Sequence, residues 1–290
     1  MATRAKDDVG ANNQPFISVV VSVFNSGATL QQCIDSLSKQ TYSAWELIVI
    51  DGGSKDCTPQ ILQRNSAQLS YWVSEPDRGI YHAWNKGLLR ARGEWICFLG
   101  ADDYLWSPNV LERIAPVLTK AYPPSRIVYG QVAVVNLEGE EISRAGVDWQ
   151  TARKRLQQIM CLPHTGLMHH RSVFDTHGRF DESFRIGGDY EMLLRELLQG
   201  DAVFISNLVV AGMRHGGVSS DPAGSLRMLR EFRRAQRMHG LRKPGWHWLA
   251  AYARAQLRVW LWRMLGSRLG AYVFDFARLI SGKKPYWTRL

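Results

Sequence analysis

Cysteine is scarce in this chain. Cys33, Cys57, Cys97 and Cys161 are its four, with no CxxC pair and no metal-ligand spacing among them. That pattern excludes a disulfide framework and a structural zinc site, and reduced thiols in a cytosolic protein are the expectation. No apolar run reaches about 18 residues, so no simple helix is expected to cross a bilayer. Residues 1–15 hold charge, Asn and Gly but no apolar stretch, which fits a disordered leader better than a signal peptide. There is no GxxxxGK[ST], and no GxGxxG follows the first apolar run, which argues against a P-loop NTPase and a nicotinamide enzyme. Internal repeats and low-complexity tracts are missing too. Acidic residues nearly vanish from residues 222–290, which carry 15 Lys/Arg against 2 Asp/Glu, a net of +13; the rest carries 21 against 24, a net of −3. A mildly acidic body with a strongly basic tail points to an anionic partner for the tail, either a membrane surface or nucleic acid.

What is present reads as an alternation. ISVVVSVF (17–24), WELIVI (45–50), LSYWVSE (69–75) and WICFLG (95–100) are short, apolar and bounded by turn residues, as buried strands are. Residues 28–39, 58–68 and 79–92 between them read as helices, the first with Leu30, Cys33, Ile34 and Leu37 on one face. The order predicts an α/β fold built on a mostly parallel sheet. Beyond residue 107 the pattern loosens. A helix is expected at 109–120, a hairpin around Glu138-Gly139, a short strand at 164–170, an amphipathic helix at 189–200 closed by Gly200, and a strand at 202–210.

Three of the early strands end in polar residues: the first at Phe24-Asn25, the second at Asp51-Gly52-Gly53-Ser54, the fourth at Asp102-Asp103. If those strands are parallel neighbours, the three ends share the crevice where open α/β sheets take ligands. Adjacent carboxylates at the end of an apolar strand are costly unless a cation meets them, and hard divalent ions on phosphates use one or two carboxylates. A metal–diphosphate site is therefore one reading of Asp102-Asp103; a solvated turn is the other. Asp51 could accept hydrogen bonds from a base or ribose hydroxyl, and Gly52 lets backbone approach a ligand closely.

Five segments together resemble the inverting family 2 glycosyltransferases of GT-A fold, most closely bacterial members that build exopolysaccharide or lipid-linked glycans. They are SVVVSVFNSGATLQQCIDSLSKQTY (18–42), ELIVIDGGSKDCT (46–58), SEPDRGIYHAWNKGLLRARGEWICFLGADD (74–103), PHTGLMHHRSVFDTHGRFDESFRIGGDYEMLLR (163–195) and GGVSS (216–220). The resemblance implies a Rossmann-like domain over 16–221. It implies that Asp51 reads the donor base and that Asp77 and Arg78 close on the nucleotide. Phe24, Asn25, Gly52 and Lys86 fall among the nucleotide-sugar-binding residues. Asp103 is similar to the metal ligand of a DxD-type motif, for Mg²⁺ or Mn²⁺, with Asp102 nearer the ribose. Asp189 is similar to the catalytic base, and Arg214 and His215 to a segment that neutralises the leaving diphosphate. The implied partners are a nucleotide-diphosphate sugar and a polyprenyl-diphosphate-linked glycan acceptor. His82, Trp84, Lys55, Cys57 and Thr165 depart from the commoner family residues, which leaves donor sugar and acceptor geometry open. Asp189 also reads as a helix N-cap, and His164, His169, His170 and His177 as structural or surface histidines.

In the tail, Leu249, Tyr252, Ala253, Leu257, Trp260 and Met264 share one side of a helical wheel opposite Arg254 and Arg258, with Arg263 interrupting the stripe; Leu269, Tyr272, Val273, Phe276 and Ile280 form a second face after Gly266. Basic amphipathic helices with Trp suit a membrane interface, so residues 222–290 are expected to attach the protein peripherally to the anionic inner face of the cytoplasmic membrane. Packing of these helices on the body, with only the charged side showing, is the alternative. Two rivals remain for the whole chain. One is a sugar nucleotidyltransferase, for which the first strand lacks the Gly-rich basic signature. The other is a basic nucleic-acid binder with a degenerate enzyme body, for which no recognised motif is present; no nucleic-acid partner is expected.

Overall fold

A computed structural model describes residues 14–136, 138–214, 222–280, 282 and 287–289. His215 and the GGVSS segment lie outside the described residues, as does nearly all of the 1–15 leader.

Four parallel strands form the first half of one nine-stranded sheet: β1 (Ile17–Val23), β2 (Trp45–Asp51), β3 (Tyr71–Ser74) and β4 (Trp95–Gly100), in the order β3-β2-β1-β4. Each is apolar on both faces because both faces are covered. In β1, Val19, Val21 and Val23 point into one core while Val20 points into the other; β4 divides the same way, Trp95, Cys97 and Leu99 against Ile96 and Phe98. The connecting helices are α1 (Leu30–Ser38), α2 (Thr58–Arg64) and α3 (Ile80–Leu88). Leu30, Cys33, Ile34 and Leu37 are the buried residues of α1, as the 3.6-residue spacing predicts.

The second half mixes directions. It holds β5 (Tyr104–Leu105), α4 (Val110–Ala121), β6 (Ile127–Val135), β7 (Glu141–Ala145), α5 (Trp149–Leu156), β8 (Met168–His170), α6 (Ser172–His177), α7 (Gly188–Leu197) and β9 (Ala202–Arg214). The sheet continues β4-β8-β6-β9-β5 with β7 hydrogen-bonded to β6; β6 and β9 run parallel, whereas β8, β7 and β5 pair antiparallel. Most paired residues still lie in parallel ladders.

Two tail helices follow, α8 (Pro222–Met238) and α9 (Trp246–Ile280). Leu226, Leu229, Phe232 and Ala235 of α8, and Trp248 and Ala255 of α9, complete the core that holds Phe98 and Tyr190. The indole Nε1 of Trp248 donates to the Leu229 carbonyl at 2.7 Å. At Gly266, φ is +74°, a left-handed value that breaks α9 into two helical pieces and that a side chain would resist. The wheel drawn from sequence turns out to be rotated in its consequences. The packed face is the one carrying Trp248 and Ala255, so Leu257, Trp260, Met264, Leu269, Tyr272 and Phe276 stay exposed, and Arg258 is half-buried. No helix among the described residues is long and apolar enough to cross a membrane.

Candidate active site

Parallel pairing brings Val23 beside Asp51 and Ser22 beside Gly100, so the polar ends of β1, β2 and β4 do share one edge of the sheet. A cleft of about 1140 Å³ opens there. Asn25, Asp102, Asp103, Asp189 and Arg214 all line it.

The acid pair sits on a tight turn. The Asp103 amide donates to the Gly100 carbonyl at 3.1 Å, and Asp103 Oδ2 accepts from the Gly100 amide at 3.2 Å and from the Thr165 hydroxyl at 2.9 Å. Asp103 is buried and Asp102 half-buried. Burial, then the neighbouring Asp102 carboxylate, pushes the Asp103 carboxyl up to about 7. Burial also raises Asp102, while the Arg214 guanidinium draws it back down. Arg214 ends β9, and its Nη2 donates to Gln32 Oε1. Two adjacent hard carboxyls, both raised by burial and Asp103 further by the Asp102 charge, are a donor set that a divalent cation would relieve. Among the described residues no third His, Cys, Asp or Glu joins them in a cluster, so substrate phosphates and water would have to complete a shell.

Asp189 stands in the first turn of α7. The N-cap of that helix is Gly187, without a side-chain cap, so Asp189 is not the N-cap. Its Oδ1 accepts from the Tyr190 amide at 2.8 Å and from the Tyr81 hydroxyl at 3.3 Å. Burial lifts its carboxyl from the ordinary range to about 6. Tyr81 is also fixed by donating to the Ile186 carbonyl at 2.6 Å.

Phe24, Asp51, Gly52, Asp77, Arg78 and Lys86 stand outside the cleft lining. Asp51 is fully buried, and its oxygens accept from the Ser54 amide, from the Ser54 hydroxyl and, at 2.5 Å, from the Ser74 hydroxyl. Ser54 Oγ in turn accepts from the Asn25 amide at 2.7 Å, and Asn25 Oδ1 accepts from the Lys55 amide at 2.9 Å. Asp51 therefore supports the cleft edge through Ser54 and Asn25. Asn25 itself adopts the left-handed region, φ +49°, which its side chain tolerates better than most. Gly52 lies against the Asp77 carboxylate, whose Oδ2 would be 2.6 Å from an added Cβ; Asp77 Oδ1 accepts from the Gly79 amide at 2.8 Å. Arg78 pairs with Glu182, Lys86 pairs with Glu75 at 2.8 Å, and Phe24 is exposed.

From sequence, Tyr81, Arg185 and Glu231 have no assigned role, and Thr165 and His164 are named without a place at the site. Thr165 and Tyr81 hold the two key carboxylates, and Arg185 joins the cleft wall. Glu231 of α8 accepts backbone N–H groups from Arg185, Ile186 and Gly187, just ahead of Asp189. His164 lines the cleft, stacked on Trp84 with ring centroids 5.0 Å apart, and burial holds its imidazole neutral.

The family model Glycosyl transferase family 2 matches residues 18–178. A PGL/p-HBAD biosynthesis glycosyltransferase of Mycobacterium tuberculosis (strain ATCC 25618 / H37Rv) is 31% identical over 184 residues, covering 62% of this chain and 69% of that protein. Among solved structures, S. aureus TarS 1–349 in complex with UDP-GlcNAc superposes with a TM-score of 0.59 at 16% identity, over 83% of this chain and 71% of that one. The chain spans 38% of a longer TarS chain. Mannosyltransferase PcManGT from Pyrobaculum calidifontis, in complex with GDP-Man and Mn²⁺, superposes with a TM-score of 0.61 at 18% identity, over 96% and 84%. These likenesses show the fold: it is the GT-A arrangement expected from the sequence.

Proposed function

This chain belongs to glycosyl transferase family 2, and from that premise we propose that it transfers a hexosyl or N-acetylhexosaminyl group, with inversion, from a nucleotide-diphosphate sugar to a hydroxyl of a lipid-linked or surface-polysaccharide acceptor. The observation that carries the reading is the meeting of Asp102-Asp103, Asp189 and Arg214 in one cleft, although they are far apart along the chain.

The acceptor oxygen attacks the anomeric carbon as the bond from that carbon to the diphosphate oxygen breaks, and the electron pair leaves with the nucleoside diphosphate. Asp189 takes the hydroxyl proton. A carboxyl raised to about 6 is still mostly ionised near neutrality and is a stronger base than an ordinary aspartate. One displacement and one base suffice, in contrast to the two working carboxylates of hydrolases. Asp103, with Asp102 beside it, would hold Mg²⁺ or Mn²⁺, which offsets charge on the departing diphosphate. Thr165 keeps Asp103 oriented, and Arg214 adds positive charge at the same end. Neighbours of this fold bound to UDP-GlcNAc, and to GDP-Man with Mn²⁺, support a nucleotide-sugar donor and a divalent ion.

The direct test is a panel of nucleotide sugars with Mn²⁺, monitoring nucleoside-diphosphate release with and without acceptor. At least one donor should be turned over, and Asp189→Ala should lose transfer while still binding that donor. An Asp189→Ala protein that transfers at the wild-type rate would sink the assignment. On the same reading the tail rests on an anionic membrane at the cytoplasmic face, where such acceptors would be presented.

A further inference from the structure

The cleft has a wall that lies beyond the residues matching the family model, 18–178. Arg258 and Arg278 of α9 line it together with Trp287. Other α9 arginines, Arg254, Arg263 and Arg268, are exposed, whereas these two are half-buried. They lie on opposite sides of the break at Gly266. That break lets both helical pieces reach one place: Trp262 of the first stacks on Phe274 of the second, centroids 6.0 Å apart. Trp287 packs against Phe274 at 5.3 Å, and the Arg258 guanidinium stands 5.7 Å from the centre of its ring. Arg227 of α8 lines the cleft as well.

The helix break at Gly266 and the stacked rings thus gather guanidinium groups at a partly desolvated wall, facing the same space as Asp189. Burial, then the charges of Arg254 and Arg278, pulls the Arg258 guanidinium down from its ordinary range, so like charges crowd this wall. A neutral sugar hydroxyl needs no such wall. An anion does, because guanidinium forks match phosphate oxygens. The same helix also exposes Trp260, Met264, Leu269, Tyr272 and Phe276, a strip that a hydrocarbon chain could cover.

We propose that Arg258 and Arg278 form an acceptor subsite for a diphosphate carried on a lipid, holding that anion while the attached sugar reaches Asp189. The proposal rests on the glycosyltransferase reading above and adds the acceptor's anchor to it.

The test uses the full chain in EDTA, so that diphosphates have no cation to follow to Asp102-Asp103. Binding of farnesyl diphosphate, farnesol and inorganic pyrophosphate is measured by titration calorimetry. Farnesyl diphosphate should bind tightest. The double variant R258Q/R278Q should bind it about a hundredfold more weakly, about tenfold for each charge-assisted contact removed, and R258K/R278K should recover part of the loss. Unaltered farnesyl diphosphate affinity in R258Q/R278Q overturns the subsite. So does farnesol binding as tightly as the diphosphate, a comparison in the unmutated protein that holds even where the double variant does not fold. Pyrophosphate binding as tightly as farnesyl diphosphate overturns the lipid acceptor and leaves a free anion as ligand. Failure of every donor to release nucleoside diphosphate counts against the transferase reading alone, since the calorimetry needs no turnover.

Discussion

The Glu231 carboxylate accepts the backbone N–H of Gly187 at 2.8 Å, from a helix 44 residues further along the chain. The same oxygen takes the Ile186 amide at 2.8 Å, and the Arg185 amide lies 3.0 Å away. Residues 185–187 lead into α7, whose N-cap is Gly187 and whose first turn carries Asp189, so one tail residue fixes the backbone that delivers this helix start.

Its replacement should therefore reach the chemistry. Glu231→Gln keeps the shape but weakens three charge-assisted bonds, each of which is worth about 1.5–3 kcal/mol when made to a charged group. The expected result is a lower melting temperature and a kcat reduced about tenfold, with donor KM little changed. Because the Glu231 charge helps to raise the Asp189 carboxyl, its loss should also move the acid limb of the rate profile to lower pH. Steady-state kinetics over pH 5–8 would check both. A variant with lower stability but an unmoved limb and unchanged kcat would reduce Glu231 to a structural role.

Tyr81 makes the opposite prediction. Its hydroxyl, donating to Asp189 at 3.3 Å, favours the ionised carboxylate against the burial that opposes it. In the unmutated protein kcat should fall as pH drops through about 6, since protonation removes the base. Tyr81→Phe removes the donor and should shift that limb upward, so that activity at neutral pH drops while activity above pH 8 is mostly retained. A limb that stays in place would mean that another group controls it.

Asp103→Asn separates cation binding from fold. Two carboxylates share a buried turn, so neutralising one removes repulsion while the Thr165 hydroxyl keeps an oxygen to donate to. The variant should melt at or above the temperature of the unmutated protein in EDTA. Added Mn²⁺ should raise the melting temperature of the unmutated protein and leave the variant's unchanged, because an ion that binds only the folded state stabilises by mass action. Equal Mn²⁺ stabilisation of both proteins would place the cation elsewhere.

Much of this was legible locally. The strands at 17–23, 45–51 and 95–100 announce themselves by unbroken apolar runs, and their polar ends identify the edge where the cleft lies. What was not legible depends on distance. Thr165 reaches Asp103 across 62 positions and Tyr81 reaches Asp189 across 108, and no spacing rule encodes either. The strand-end rule offered Asp51 to a ligand, but Ser54 and Ser74 hydroxyls already occupy its oxygens; only the pairing of β2 with β3 brings Ser74 there. α5 buries only Ala152 and Leu156, too faint a stripe to read as a helix from spacing alone. The tail shows the limit of a helical wheel. The wheel groups apolar residues correctly, yet the side that packs is decided by where Trp248 and Ala255 meet the body.

That last outcome carries its own prediction. Had α9 turned its large apolar residues inward, the tail would present charge alone and bind anionic surfaces weakly and loosely. Instead Trp260, Met264, Leu269, Tyr272 and Phe276 are all more than half exposed, interspersed with exposed Arg254, Arg263 and Arg268. Apolar insertion and charge should then act together, with each near-surface arginine adding about 1 kcal/mol on an anionic leaflet. The full chain should float with vesicles containing phosphatidylglycerol and stay behind with pure phosphatidylcholine. High salt should weaken the association. Trp260→Ser with Phe276→Ser should abolish it at any salt while leaving donor turnover intact, since neither side chain lines the cleft. Flotation that survives the double substitution would mean that the arginines act alone, and a full chain that never floats at low salt would remove the membrane from the account altogether.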